Sequence, residues 1–393
     1  MRYSILLPTR NRLDLLRHAI DTVLRQDYAD WEIVVSDNCS EDDVEGYVRS
    51  LGDPRVGYVR TDRMVPVTAN WNNALAHSHG DYVLMLGDDD GLLDGYFAEL
   101  DRARERFDDP DLVYSRTLQF AHPGVLPGHP RGYLAVVGLA DFFRGRNEPY
   151  VLDHGQAVRL VERTMRFELG FEFNMQFATI RRDLIRELGE PGAFFRSTFP
   201  DYYAMNLLFL RARRIVVHPR PLTIVGVSPK SYGFYRANDR VQEGMTMLSS
   251  FGDGSLPGGI VLPGDDIRAG WLDAARELES FTRGAVRADM GRLHELRALN
   301  ALVAYRGGAM TWAEARKFLR LLAPASRLLF ALRAAAFLLL SRPLPARTRA
   351  RLMTTMFRSV PFYEPEMVEA PYASVAEVFE AERSGAVPLQ WTT

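Results

Sequence analysis

Residues 1–90 alternate between short apolar runs and stretches of helical periodicity, and this alternation constrains the fold more than any other feature of the chain. Tyr3, Ile5, Leu6 and Leu7 give residues 2–8 the character of a short buried strand. Within residues 12–26, Leu13, Leu15, Leu16, Ala19, Ile20, Val23 and Leu24 fall at helical spacing, with Asn11 as the expected N-cap. Residues 31–36, 56–60 and 82–86 read as further strands, and residues 42–51 and 68–79 as helices. Strands alternating with helices predict an α/β fold with a mostly parallel sheet flanked by helices. Ligands of such sheets sit at the carboxyl ends of the strands. That rule singles out Thr9 and Arg10, then Asp37 and Asn38, then Asp88, Asp89 and Asp90.

The chain has 393 residues, enough for two domains or for one large domain with an appendage. A net charge of −2 gives no global pull toward nucleic acid, so no nucleic-acid partner is expected. The single cysteine, Cys39, excludes an intrachain disulfide framework and fits a reducing compartment. The opening apolar run, Ile5 to Leu7, is too short for a secretory signal. Residues 121–132 are rich in proline and glycine and read as a loop over a site. A second such stretch, 252–265, suggests a boundary between a catalytic domain, 1–240, and a mainly helical region, 241–393.

The acidic run GDDDG at 87–91 follows a buried strand directly. Three adjacent carboxylates repel one another and are comfortable only when solvated or neutralised by a cation. Oxygen-only ligands suit a hard divalent ion, Mg²⁺ or Mn²⁺. Such an ion would neutralise a diphosphate and stabilise its departure. The plainer alternative is a solvated acidic turn. Asp37 can accept a hydrogen bond from a nucleobase N–H, or it can close an Asx turn. The amides after Pro8, with Arg10 or Arg12, can meet phosphate or base.

Together these segments resemble the family 2 glycosyltransferases, which have the GT-A fold, a Rossmann-like sheet. The resemblance covers roughly residues 1–235 and rests on SILLPTRNR (4–12), EIVVSDNCSED (32–42), TANWNNALAHSHGDYVLMLGDDD (68–90) and FPDYYAMNLL (199–208). It implies an inverting, metal-dependent enzyme that uses a nucleotide-sugar, with UDP favoured. Pro8, Thr9 and Asp37 would lie at the nucleotide base with Arg10 nearby, and Asn70 or Asn72 near the nucleotide. Asp88 would approach the ribose or the sugar, Asp89 the diphosphate, and Asp89 with Asp90 would hold the metal. Asp201 would be the general base that deprotonates the acceptor hydroxyl, with Glu172 in reserve; Asp201 as a helix cap is the alternative. The chain departs from the resemblance once. Relatives often place a metal-binding histidine after a strand like PLTIVGVSPKS (221–231), and here Ser228 or a neighbour stands there. His218 reads as structural, and Lys230 or Tyr232 is left to help neutralise the diphosphate.

Residues 311–360 hold ten Lys/Arg against one acid, Glu314, around the apolar run 327–340; residues 361–393 reverse the sign. The run is too short and too charged to span a bilayer. It suits contact with an anionic membrane surface, which would place a peripheral enzyme on the inner, cytoplasmic face. The alternative is a helical bundle that packs on the catalytic domain or on a second subunit, paired with the acidic tail. Acceptors consistent with these readings are a glycan, a lipid-linked glycan in cell-surface synthesis, or a small-molecule natural product. No GxGxxG follows the first strand, which disfavours a dinucleotide oxidoreductase. A sugar nucleotidyltransferase would show a Gly-rich loop in place of PTRNR. A non-catalytic nucleotide-sugar-binding protein is the remaining class.

Overall fold

A computed structural model describes residues 3–126, 128–138, 140–143, 145–168, 174–189, 194–238, 240, 243–244, 268–341, 343–345, 348, 352, 355–357 and 367–387. The chain divides into two compact units. One comprises Met1–Ala157, Glu172–Ser255 and Pro365–Thr393; the other comprises Val158–Phe171 and Leu256–Glu364.

The first unit is built on one mixed sheet of eleven strands. Its parallel half comes from β1 (Tyr3–Thr9), β2 (Trp31–Asp37), β3 (Val56–Arg60) and β4 (Tyr82–Met85), ordered β4-β1-β2-β3. Side chains alternate across a strand. Tyr3, Ile5 and Leu7 of β1, Trp31, Ile33 and Val35 of β2, and Tyr82 and Leu84 of β4 therefore share one face. They join Leu16, Ala19, Ile20 and Val23 of the helix Leu13–Leu24 in one buried core. The 12–26 periodicity is the imprint of that face. The helix starts one residue later than expected. Arg12 is its N-cap, Asn11 adopts a left-handed φ of 51°, and Asp42 caps from across the loop by accepting from the Leu13 amide at 3.1 Å.

The sheet continues through β5 (Gly91–Leu92), β6 (Leu112–Ala121), β7 (Tyr133–Val137), β8 (Tyr150–Val151), β9 (Ala178–Arg181), β10 (Ile215–Val227) and β11 (Met367–Glu369). A strand has two edges, and β6 uses both. One edge takes β10 in parallel along its length; the other takes β9 against Leu112–Tyr114 and β7 against Thr117–Ala121, both antiparallel. β9 closes the gap to β4, again antiparallel. β10 carries Pro219 and Pro221, and its register with β6 shifts on either side of Pro221. That irregularity lets a proline-bearing segment run as a buried strand of 13 residues. The proline- and glycine-rich 121–132 segment is tied down, with the Gly124 amide donating to Pro130 O at 3.0 Å and Asn238 Nδ2 to Val125 O at 2.8 Å.

The acidic tail folds onto this unit. β11 pairs with β7, and Val375, Val378 and Phe379 of the helix Val375–Arg383 pack with Leu93, Leu118, Phe120 and Ile224. Its carboxylates meet arginines of the same unit: Glu369 meets Arg131, Glu380 meets Arg25, and Glu382 meets Arg220 at 3.3 Å. The tail is thus part of the first unit, whereas the sequence placed it with the helical region. The sequence-expected boundary stretch 252–265 lies outside the described residues.

The second unit is helical, as expected. It holds Arg268–Phe281, Met290–Arg306, Trp312–Leu321 and Pro324–Leu340. Asp289 caps the second of these through the Arg292 amide, and Thr311 with Glu314 forms a capping box on the third. Leu299, Phe318, Leu322, Phe330, Ala334, Phe337 and Phe357 form its core.

A buried polar cluster locks the amino end of the parallel half. Glu32 Oε1 accepts from Ser4 Oγ at 2.7 Å, the His79 amide at 2.6 Å and the Gly80 amide at 3.0 Å. Arg182 adds bonds to Ser78 Oγ at 2.9 Å and Ser4 Oγ at 3.2 Å. Glu32→Ala strands these donors, so it should lower unfolding free energy by about 2–3 kcal/mol in urea titration. An unchanged midpoint would contradict the cluster's role.

Candidate active site

In-register parallel pairing brings the carboxyl ends of β1, β2, β3 and β4 to one rim. Thr9 pairs with Asp37, Asp37 with Arg60, and the Leu86 amide donates to Leu6 O at 2.9 Å. The chain leaving β4 therefore turns beside Thr9. Residues 87–90 form that turn, closed by the Asp90 amide on Gly87 O at 3.1 Å and by the Gly87 amide on Asp90 Oδ2 at 2.8 Å.

The three aspartates are buried, at 3%, 8% and 2% exposure for Asp88, Asp89 and Asp90, and each is satisfied differently. Asp88 takes a charge and a hydroxyl: Arg12 donates to Oδ1 at 2.9 Å and Thr9 Oγ1 to Oδ2 at 2.8 Å. Asp89 Oδ2 accepts from Ser228 Oγ at 2.8 Å. Asp90 accepts from the Gly226 amide on Oδ1 at 2.8 Å, and from Gln176 Nε2 on Oδ2 at 2.6 Å in addition to the Gly87 amide. Burial lifts the Asp88 carboxyl above the usual range against the pull of Arg12. Burial, with the neighbouring Asp89 charge, pushes Asp90 up to about 8 against its three donors. Of the six carboxylate oxygens, Asp89 Oδ1 alone has no hydrogen bond among the described residues. Both oxygens of Asp90, expected to share a metal with Asp89, are engaged in holding β10 and the Met175–Phe177 turn against residues 87–90. Among the described residues, no group of three or more His, Cys, Asp or Glu is placed to hold a metal ion.

Arg12 also donates to the Lys230 carbonyl, and Lys230 Nζ meets Asp14 Oδ1 at 2.9 Å. Two cations from the loops after β1 and β10 thus flank the aspartates. A cavity of about 480 Å³, lined by Leu13, Asp14, Arg17, Asp42, Asp43 and Lys230, opens at this corner.

At the far end of the rim, Asp37 is fully buried and engaged. Oδ1 accepts from the Ser40 amide at 2.9 Å, and Oδ2 from Tyr58 Oη and Arg60, each at 2.9 Å. The Asx turn and a charged lining coexist. Arg10 is turned onto the carbonyls of Asn38 and Cys39, at 2.6 and 2.9 Å. Pro8 is half-buried on β1. Asn70 clamps Ser36 through both its amide atoms, at 2.7 and 3.0 Å, and Asn72 clamps the Phe195 backbone at 2.9 and 3.0 Å. These asparagines fix the rim from below, with their amides already paired.

Asp201 is the second residue of the helix Pro200–Arg211, whose N-cap is Phe199, so Asp201 is not the cap. The Phe199 ring packs edge-on to Tyr232 at 5.9 Å, and the helix packs on the turn that carries Gln176. Burial pushes the Asp201 carboxyl up to about 6. Glu172 lies outside the described residues. His218 is structural, 3.4 Å from Glu99.

Gln176 and Gly226 escaped the sequence reading. An isolated glycine inside the run TIVGVS does signal a close backbone approach, and the structure supplies the reason. A Cβ on Gly226 would stand 1.8 Å from the Asp89 carbonyl oxygen. Gly226→Ala must push β10 off the aspartate turn and should cost about 1–3 kcal/mol of stability by chemical denaturation. Wild-type stability would show that β10 does not approach so closely.

Residues 4–139 match the family model described as glycosyl transferase family 2. A protein of Escherichia coli K12, provisionally named colanic acid biosynthesis glycosyl transferase WcaA, is 40% identical over 89 residues, 22% of this chain and 32% of its own. The Campylobacter jejuni GalNAc(5)-diNAcBac-PP-undecaprenol beta-1,3-glucosyltransferase is 38% identical over 102 residues, 25% of this chain and 33% of its own. The Escherichia coli UDP-Glc:alpha-D-GlcNAc-diphosphoundecaprenol beta-1,3-glucosyltransferase WfgD is 30% identical over 87 residues, 22% of this chain and 34% of its own. The chain thus spans about a third of the length of these relatives. The matched stretch holds β1 to β4 and the aspartate turn, and over it the chain is similar to glycosyl transferase family 2.

Proposed function

We propose that the protein is an inverting glycosyltransferase that moves a sugar from a nucleotide-sugar, most simply a UDP-sugar, to an acceptor hydroxyl in cell-surface glycan synthesis. One observation carries the reading. Thr9, Arg12, Asp88, Asp89, Ser228 and Lys230 converge at the carboxyl rim where such a sheet takes its ligand. The matched relatives bear names of glycosyltransferases, one with a UDP-sugar donor and two with diphosphoundecaprenol-type acceptors. They support a lipid-linked acceptor at a membrane face.

The donor's nucleoside would lie toward Thr9, Pro8 and Asp37, and its diphosphate between Asp89 and the cations Arg12 and Lys230. Arg12 already touches Asp88, so a bound diphosphate would share the guanidinium with that carboxylate. Asp89, with one oxygen open and a serine hydroxyl beside the other, offers the hard oxygen donors that suit Mg²⁺ or Mn²⁺. When bound, that ion would neutralise charge building on the departing diphosphate. Asp90 sets the position of Asp89 and does not itself reach the ligand. Asp201 takes the proton of the acceptor hydroxyl as its oxygen attacks the anomeric carbon from the side opposite the nucleotide, which inverts the configuration.

Asp89→Ala should reduce transfer by orders of magnitude and also abolish metal-stimulated hydrolysis of UDP-sugar without acceptor. A non-catalytic binding protein would show no such hydrolysis in the wild type. Asp201→Asn should bind donor with unchanged affinity in calorimetry while transfer falls about 10²–10⁴-fold; normal transfer would remove the base assignment. A base must be deprotonated to act, and burial places Asp201 at about 6. Transfer should therefore rise as pH increases through about 6, and this limb should vanish in Asp201→Asn. A wild-type profile flat from pH 5 to 8 would contradict the assignment, since a base of that pKa titrates within the window.

A further inference from the structure

The helix Pro324–Leu340 is apolar on two opposite faces, and the described residues cover one of them. Phe330, Ala334 and Phe337 point into the core of the second unit. On the other side Leu328, Leu332 and Leu339 are 73%, 61% and 77% exposed, and Leu329 and Leu340 are exposed beside them. Leu328, Leu332, Ala335 and Leu339 follow one another at helical spacing and form a continuous stripe. Isolated exposed leucines are ordinary, but an aligned stripe opposite a buried one has to be explained by what it meets.

The charges say what covers it. Residues 311–341 carry Arg316, Lys317, Arg320, Arg327 and Arg333 against the single acid Glu314. All five cations are exposed. Helical geometry puts Arg327 and Arg333 on the two flanks of the leucine stripe. Arg327 also donates to the carbonyls of Leu322 and Arg320, at 3.0 and 3.2 Å. Arg333 has no ion pair or hydrogen bond among the described residues. A second copy docked here by two-fold symmetry would set arginine-flanked faces against each other and bury like charges. An anionic lipid surface would instead accept the leucines among its acyl chains and the guanidiniums at its phosphates. A helix of 17 residues is about 25 Å long, below the roughly 30 Å of a hydrocarbon core. No helix among the described residues is long and apolar enough to cross a membrane. The stripe therefore suits a helix lying in the interface rather than spanning it.

We infer that the outer face of Pro324–Leu340 is a membrane-docking surface for anionic lipid, with Leu328, Leu332 and Leu339 entering the bilayer and Arg327 and Arg333 meeting phosphate. This stands independently of the reading of the aspartate site, because it concerns binding alone. The full chain is tested by co-sedimentation with vesicles of phosphatidylcholine, alone and mixed with phosphatidylglycerol, at low and high salt. The wild type should pellet with the anionic vesicles, more weakly at high salt. The triple variant Leu328→Glu, Leu332→Glu, Leu339→Glu should bind at least about tenfold less. Its exposed positions should leave the thermal midpoint unchanged. Arg333→Glu, which leaves the leucines in place, should weaken binding to the anionic vesicles severalfold. Failure of the wild type to bind, or undiminished binding by both variants, overturns the inference. So does wild-type self-association in sedimentation velocity that the leucine substitutions abolish, because that outcome assigns the stripe to a second copy of the chain.

Discussion

Three successive carboxylates are buried at one turn, and the first unit is arranged around neutralising them one by one. Unpaired, each would cost several kcal/mol in a low-dielectric setting. Asp88 is answered by the Arg12 guanidinium and the Thr9 hydroxyl, which binds the turn to β1. Asp90 is answered by two backbone amides and Gln176, which binds it to β10 and to the Met175–Phe177 turn. Asp89 has only the Ser228 hydroxyl on one oxygen, and the other is open. The turn thus has two carboxylates paired on both oxygens that flank one paired on a single oxygen. Its position follows from them, since Asp90 draws β10 close enough that only glycine fits at 226.

The parallel half of the sheet was legible because its signals are local. The strand expected at 56–60 matches Val56–Arg60, and the helix expected at 68–79 appears as Val67–Ala76. In both, burial on one face leaves its period in the sequence. The rest of the sheet was legible only at 221–231, which overlaps the end of β10. β6, β9 and β10 pair across long separations, and β10 carries two prolines whose cost is absorbed by register shifts that no local pattern announces. The start of the first helix was misread at Asn11 for a related reason. Its cap comes from Asp42, a residue of another loop that folding brings near.

The candidate site was legible as a set of carboxylates but not as a division of labour. Adjacent aspartates look alike in a sequence, and what separates their roles is the identity of partners roughly 90 to 140 residues away, Gln176, Gly226 and Ser228. The serine was visible as a missing histidine, and the structure shows that it faces Asp89. The resemblance set Asn70 or Asn72 near the nucleotide, beside the rim. Their pairing with Ser36 and the Phe195 backbone makes them supports for it. The tail shows the same limit. One reading of its charge pattern paired it with the basic helices, but the arginines it meets belong to the first unit.

In the function proposed, the open oxygen of Asp89 and the flanking cations Arg12 and Lys230 form one seat for a donor diphosphate. Crystals soaked with UDP and Mn²⁺ test it most directly, because manganese scatters anomalously and marks its own position. The anomalous peak should lie against Asp89, with diphosphate density bridging it to Arg12 and Lys230, and with Asp90 still bonded to Gly226. Nucleotide bound elsewhere, or bound at the rim with Asp89 turned away from it, would contradict the account.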